Sequence, residues 1–161
     1  MIKCMGCGGS FADIQGPTHR YMESCSGCWA IYGEVLAREY SDPAYFQVHK
    51  LTVDAYAVQH PGQPSPQSIQ SVAVHLIRLY LILETGVGMQ RANDAIKAAA
   101  DTRTYTWLTP PASMGSMAVS DVHEAKDVNE HTQRVRAWAE SAWSAWSPHH
   151  ATIRAWQPEG F

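Results

Sequence analysis

The sequence predicts an all-α protein, a helical bundle with a cysteine-bearing cap at its N-terminus. Three observations predict it. From Trp29 onward, apolar residues recur at helical spacing in one segment after another. The segments are divided by cap-then-proline and glycine stops rather than by hairpin turns. Residues 1–28 hold all four cysteines, are rich in Gly and Ser, and have no sustained periodicity. At 161 residues the chain reads as one domain, able to bury roughly two thirds of its unfolded surface. The expected division is a cap over 1–28 and a bundle over 29–161.

The elements follow in order. "WAIYGEVLAREY" pairs Ile31 with Val35 and Tyr32 with Leu36 at helical spacing. Ser41-Asp42-Pro43 stops that helix and starts the next, a cap followed by proline at the first helical position. The second helix is expected to run to about His60. "HPGQPSPQ" is a loop, because its prolines remove donors and clash with a preceding turn. Ser65-Pro66 repeats the cap signal and opens a long apolar helix that ends near Glu84, at Thr85-Gly86. A weaker helix is expected over Met89–Ala100 and an extended loop over 101–119. Ser120-Asp121 starts a short helix. The last long helix, about Asn129–Trp146, aligns Val135, Trp138, Ala142 and Trp146 on one face, a core pattern rather than a ligand cage. Ser147-Pro148 interrupts it, and "HHATIRAW" adds a final short helix. The sequence displays no repeat and no strand alternation.

Composition narrows the function classes. A hydrophobic content of 45% with 17% charged residues is globular rather than disordered. A net charge of −3, with only Lys3 and Arg20 as fixed positive charges in the cap, argues against nucleic acid as a partner. The longest apolar run, "VAVHLIRLYLIL", is broken by His75 and Arg78 and is too short to span a bilayer. With no apolar leader at the start, a soluble, cytoplasmic protein without a membrane partner is expected. In that reducing setting, paired cysteines favour metal binding over disulfides.

The cysteine spacing is Cys4-x2-Cys7, then residues 8–24, then Cys25-x2-Cys28. Two C-x-x-C pairs at that separation fit a zinc site, because each pair lets two sulfurs reach one tetrahedral ion from a tight turn. Gly8 and Gly27 allow backbone N–H groups to approach the thiolates, and Cys28 sits at the opening of a helix, where the dipole favours a thiolate. The expected ligands are Cys4, Cys7, Cys25 and Cys28, with His19 as the alternative. Four thiolates fill the sphere, so the expected zinc is structural and contributes to folding of a segment with no hydrophobic pattern of its own.

The eight histidines are the other feature. His49 and His60 share a helical face but lie about 16 Å apart along the axis, so they cannot meet at one ion. Asp54 is turned away from His49. The candidate catalytic set is His49, Asp54, His60 and His150, which requires residues from separate helices to converge. His75 reads as a core histidine bonded to a carbonyl or hydroxyl. His123, Asp127 and His131 have i, i+4, i+8 spacing, which reads as a solvated face and becomes a chelate only on an unbroken helix. No nucleophile-elbow, H-E-x-x-H, Walker or G-x-G-x-x-G pattern is present.

The segments "CMGCG", "GCWAIYGEVLAREY", "HKLTVDAYAVQHPG", "SVAVHLIRLYLILE", "AVSDVHEA" and "RVRAWAESAWSAWSPHHATIRAW" together resemble an uncharacterised bacterial family built on a domain of unknown function. The resemblance covers nearly the whole chain and implies no activity. It implies that His49, Asp54, Tyr56, Gln59, His60, Trp143 and His150 are motif positions. It also implies that some members keep one cysteine in the second pair, which sets Cys25 apart from Cys4, Cys7 and Cys28.

Two readings follow. One is a zinc-stabilised helical module that binds a protein or small-molecule partner. The other is an enzyme with an inter-helical His/Asp pocket, with or without a second metal, around His49, Asp54 and His60.

Overall fold

The computed structural model of the chain describes residues 1–102 and 104–161; of 101 and 102 it describes the backbone alone. The cap begins with two short antiparallel strands, β1 (Ile2–Lys3) and β2 (Ser10–Phe11), with Ile2 opposite Phe11 and Lys3 opposite Ser10. Two-residue strands are too short to show alternation in sequence, which is why none was expected. Their turn is closed by Cys4 N–H donating to the Gly9 carbonyl at 2.8 Å and Gly8 N–H donating to the Cys4 carbonyl at 2.9 Å.

Helix α1 (Ser26–Ser41) follows. Asp42 caps α2 (Pro43–Phe46), its carboxylate accepting from Ala44 N–H at 2.9 Å, with Pro43 at the first position as the sequence predicts. The expected second helix is divided: Val48, at φ −102° and ψ 7°, separates α2 from α3 (His49–Gln59). That break makes His49 the first residue of α3 and His60 its cap. Ser65 caps α4 (Pro66–Tyr80), which runs on into a π-helical turn, Leu81–Thr85. Gly86 ends it at φ 70°, a left-handed conformation that glycine adopts without strain. Next come α5 (Met89–Thr102), α6 (Val119–His123), α7 (Val128–Ala145), a 3-10 turn at Ser147–His149, and α8 (His150–Ala155).

Helix α3 occupies the centre. It packs on α4 and α7, while α1 packs on α6 and α2. Leu51, Ala55, Tyr56 and Val58 of α3 share the buried core with Leu76 and Ile77 of α4, Val135 and Trp138 of α7, and Trp146 at the C-terminal cap of α7. Trp138, Ala142 and Trp146 are core residues. Among the described residues, no helix is long and apolar enough to cross a membrane.

Candidate metal centre

A helix this central buries unusual polarity. Along α3 and its cap, His49, Thr52, Asp54, Gln59 and His60 are all buried. A buried polar group is costly unless it is bonded, and each of these has its own partner.

At the C-terminal end, His60 meets the cap. Its Nε2 lies 3.6 Å from Cys4 Sγ and 3.4 Å from Cys28 Sγ, and Cys7 Sγ lies 4.0 Å from Cys28 Sγ. The four ligand atoms of Cys4, Cys7, Cys28 and His60 lie within 4.8 Å of one another, and all four residues are buried. Ligands around one tetrahedral zinc are separated by about 3.8 Å for two sulfurs and about 3.5 Å for a sulfur and a nitrogen. The spacing therefore fits a single tetrahedral ion.

The surroundings suit the same assignment. His60 Nδ1 donates to the Tyr56 carbonyl at 2.7 Å, one helical turn back, which leaves Nε2 as the lone pair facing the sulfurs. The Tyr56 ring stacks on His60 at 4.0 Å, and its hydroxyl contacts Cys28 Sγ at 3.4 Å. Burial first, and then the charge of Cys28, keep the Tyr56 hydroxyl protonated well above the usual phenol range, so it serves as a donor to the sulfur. Gly6 makes room for the imidazole: a Cβ there would come within 2.3 Å of His60 Cδ2. Gly8 turns the loop at φ 75°.

Without a cation, the three thiols pull one another's acidity in opposite directions. Hydrogen bonds from Cys28 and then Cys7 hold the Cys4 thiol far below its usual range. The Cys28 thiol is driven far up by its bond to Cys4 and then to Cys7. Cys7 is stabilised by Cys28, yet Cys4 and burial together push it up to about 12. A divalent cation removes this conflict, because a coordinating thiol is deprotonated outright.

The structure thus brings together three of the four expected cysteines, and His60 stands where Cys25 was expected. Cys25 is the N-cap residue of α1, so its side chain leaves the helix one turn from that of Cys28. It is buried beside Cys4, with its thiol pushed up chiefly by burial, but it lies outside the converging group. His19, the alternative ligand, instead accepts from Tyr21 N–H at 3.3 Å and packs against Trp29.

The candidate catalytic residues do not converge. His49 Nδ1 donates to Glu39 Oε1 at 3.0 Å. Asp54 accepts from Arg78 Nε at 2.7 Å, Arg78 Nη2 at 2.6 Å and His75 Nδ1 at 2.7 Å. His75 is therefore bonded to a carboxylate rather than to a carbonyl or hydroxyl. His60 belongs to the cysteine cluster. His150 stacks on Trp143 at 3.8 Å and donates from Nε2 to the Trp143 carbonyl at 2.8 Å. The i, i+4, i+8 series is broken between α6 and α7: Asp127 caps α7, His123 pairs with Glu34 at 2.6 Å, and His131 turns inward to Glu39 at 2.9 Å.

Glu39 was not singled out in the sequence. It is fully buried and accepts from His49, Thr52 and His131. Burial alone would raise its pKa, but the bonds from His131, His49 and Thr52 outweigh that and lower it. Its one sequence signal is a carboxylate four residues after Val35 on the buried face of α1.

The profile of a family of unknown function, DUF5946, matches residues 2–147. The chain belongs to that family. The matched span includes Cys4, Cys7, Cys28 and His60, so the whole cluster lies within the DUF5946 domain. No curated protein and no solved structure matches the chain.

Proposed function

We propose that this DUF5946 protein is a zinc-stabilised binding module in which one structural zinc, held by Cys4, Cys7, Cys28 and His60, fastens the cap to the end of α3. The observation that carries this reading is the convergence of four buried ligand atoms within 4.8 Å. Three thiolates and an imidazole fill a tetrahedral sphere and leave no position for a reacting water, so the ion is structural. The buried carboxylates of Glu39 and Asp54 are occupied by their own partners, which supports a scaffold role for the interior. Partner binding then belongs to the surface that the clasp orders. One part of it is a cavity of about 440 Å³ between loop 18–24 and the start of α4, lined by His19, Arg20, Tyr21, Met22 and Gln63 among others. The test is elemental analysis of purified protein combined with limited proteolysis. One zinc per chain is expected, with residues 1–28 becoming protease-sensitive after chelation. Metal-free protein whose cap is equally resistant would refute the proposal.

A further inference from the structure

The cavity between loop 18–24 and the start of α4, about 440 Å³, has the size of a small-molecule site. Its walls are fixed by protein atoms. Ser68 Oγ donates to the Tyr21 carbonyl at 3.2 Å, and Gln63 Nε2 donates to Glu23 Oε1 at 2.8 Å, so the loop is tied down on both sides of Met22. Gly62, at φ 69°, lets the two segments touch: a Cβ there would come within 2.2 Å of the Tyr21 carbonyl oxygen. A cavity held in this way spends little binding energy on ordering itself.

The wall carries one fixed cation and one anion. Arg20 and Glu23 both line it, and among the described residues neither belongs to an ion pair. Gln63 occupies one carboxylate oxygen of Glu23 and leaves the other. His19, in the same wall, adds no charge: its Nδ1 accepts from Tyr21 N–H, and burial, then the Arg20 charge, keep it neutral by lowering its pKa. Met5, Met22 and Pro64 supply apolar surface. Two opposite charges that share a cavity without closing on each other suit a ligand that carries both.

We propose that this cavity binds a small zwitterion of the α-amino-acid class, with its carboxylate on Arg20, its ammonium on the free oxygen of Glu23 and its apolar side chain against Met5, Met22 and Pro64. The inference deepens the binding-module reading above and rests on it. Guanidinium is suited to a carboxylate, which it can grip with two parallel N–H bonds. A simple anion is repelled by Glu23 and a simple cation by Arg20. A neutral apolar molecule takes water from both charges and returns no bond.

The experiment is a heteronuclear NMR titration of the full chain at neutral pH with three probes. L-leucine is the zwitterion, isoamylamine is leucine without its carboxylate, and isocaproate is leucine without its amine. Saturable shifts are expected in the backbone amides of residues 18–24 and 63–68, with leucine binding at least about threefold more tightly than either half. Arg20→Gln is expected to bring leucine down to the affinity of isoamylamine, and Glu23→Gln to that of isocaproate. Arg20 is exposed, so its variant keeps the fold. Leucine without saturable shifts at these residues, a half that binds as well as leucine, or variants that bind leucine unchanged overturn the inference. Zinc is measured on the same sample. Zinc-loaded protein that ignores leucine leaves the zinc reading standing, and zinc-free protein contradicts that reading while the titration still decides the ligand.

Discussion

Helix α3 buries a histidine at each end, and the two ends balance their charge in opposite ways. At the N-terminal end, Glu39 supplies a carboxylate and its surroundings supply donors: His49, Thr52 and His131, with Arg38 Nη1 in turn 3.3 Å from His131 Nδ1. That cluster is complete with protein atoms alone. At the C-terminal end, three sulfurs and one imidazole lone pair face one another, with a single hydroxyl, that of Tyr56, beside them. That cluster is of a kind and size compatible with a single cation. The lesson is that a buried histidine is read by the donor and acceptor balance around it, not by its burial.

The comparison can be broken most severely at the metal end. His60→Ala removes a proposed zinc ligand and the contact between cap and α3, so we expect loss of bound zinc and unfolding of residues 1–28, read by metal analysis and hydrogen exchange. At the other end, Glu39→Ala leaves two buried histidines and Thr52 without their acceptor. We expect a cost of about 3–5 kcal/mol, measured by denaturant unfolding, with zinc stoichiometry unchanged. A middling effect is expected from Tyr56→Phe, which keeps the ring stack but removes the hydroxyl at Cys28. Metal affinity should fall roughly 10–100-fold in a chelator competition, with little change in the fold. The smallest belongs to the surface: Glu84→Ala, which breaks the exposed pair with Arg154, should leave the denaturant midpoint almost unchanged.

Acid separates the two ends without mutation. At the proposed zinc site protons compete with the metal for three thiolates and an imidazole, so zinc is expected to leave as the solution becomes mildly acidic. Glu39 behaves differently because its folded pKa is lowered. Its contribution is fully present above the ordinary carboxylate range and is lost only as pH falls through the lower folded value. A pH titration that follows zinc release and helix content together should therefore show two steps, with the metal step at the higher pH. A single coincident step would join the two ends into one unit.

Much of the fold was legible because helix boundaries are local chemistry. Asp42-Pro43, Ser65-Pro66 and Gly86 act on their own neighbours, and the sequence displays them directly. The break at Val48 was not legible, since no proline or glycine marks it. In the site, Cys4, Cys7 and Cys28 were legible from spacing, because two of them share a tight turn. His60 was legible as a candidate catalytic residue and a family motif position but not as a neighbour of the cysteines, since what brings it to Cys4 and Cys28 is the placement of the end of α3 against the cap. Cys25 shows the limit of spacing from the other side. A C-x-x-C pair at a helix N-terminus directs its sulfurs according to the helix, and here Cys28 faces the cluster while Cys25 stays outside it, beside Cys4. Glu39 was hidden because its partners lie on other helices, His49 and Thr52 on α3 and His131 on α7, and no local pattern pairs them with it.

The most direct test of the account is zinc stoichiometry in two single variants, Cys25→Ser and His60→Ala, purified in parallel with the unaltered chain. The account predicts one zinc per chain for the unaltered protein and for Cys25→Ser, and little or none for His60→Ala. Retention of zinc by His60→Ala with its loss from Cys25→Ser would contradict it, and would return the centre to four cysteines.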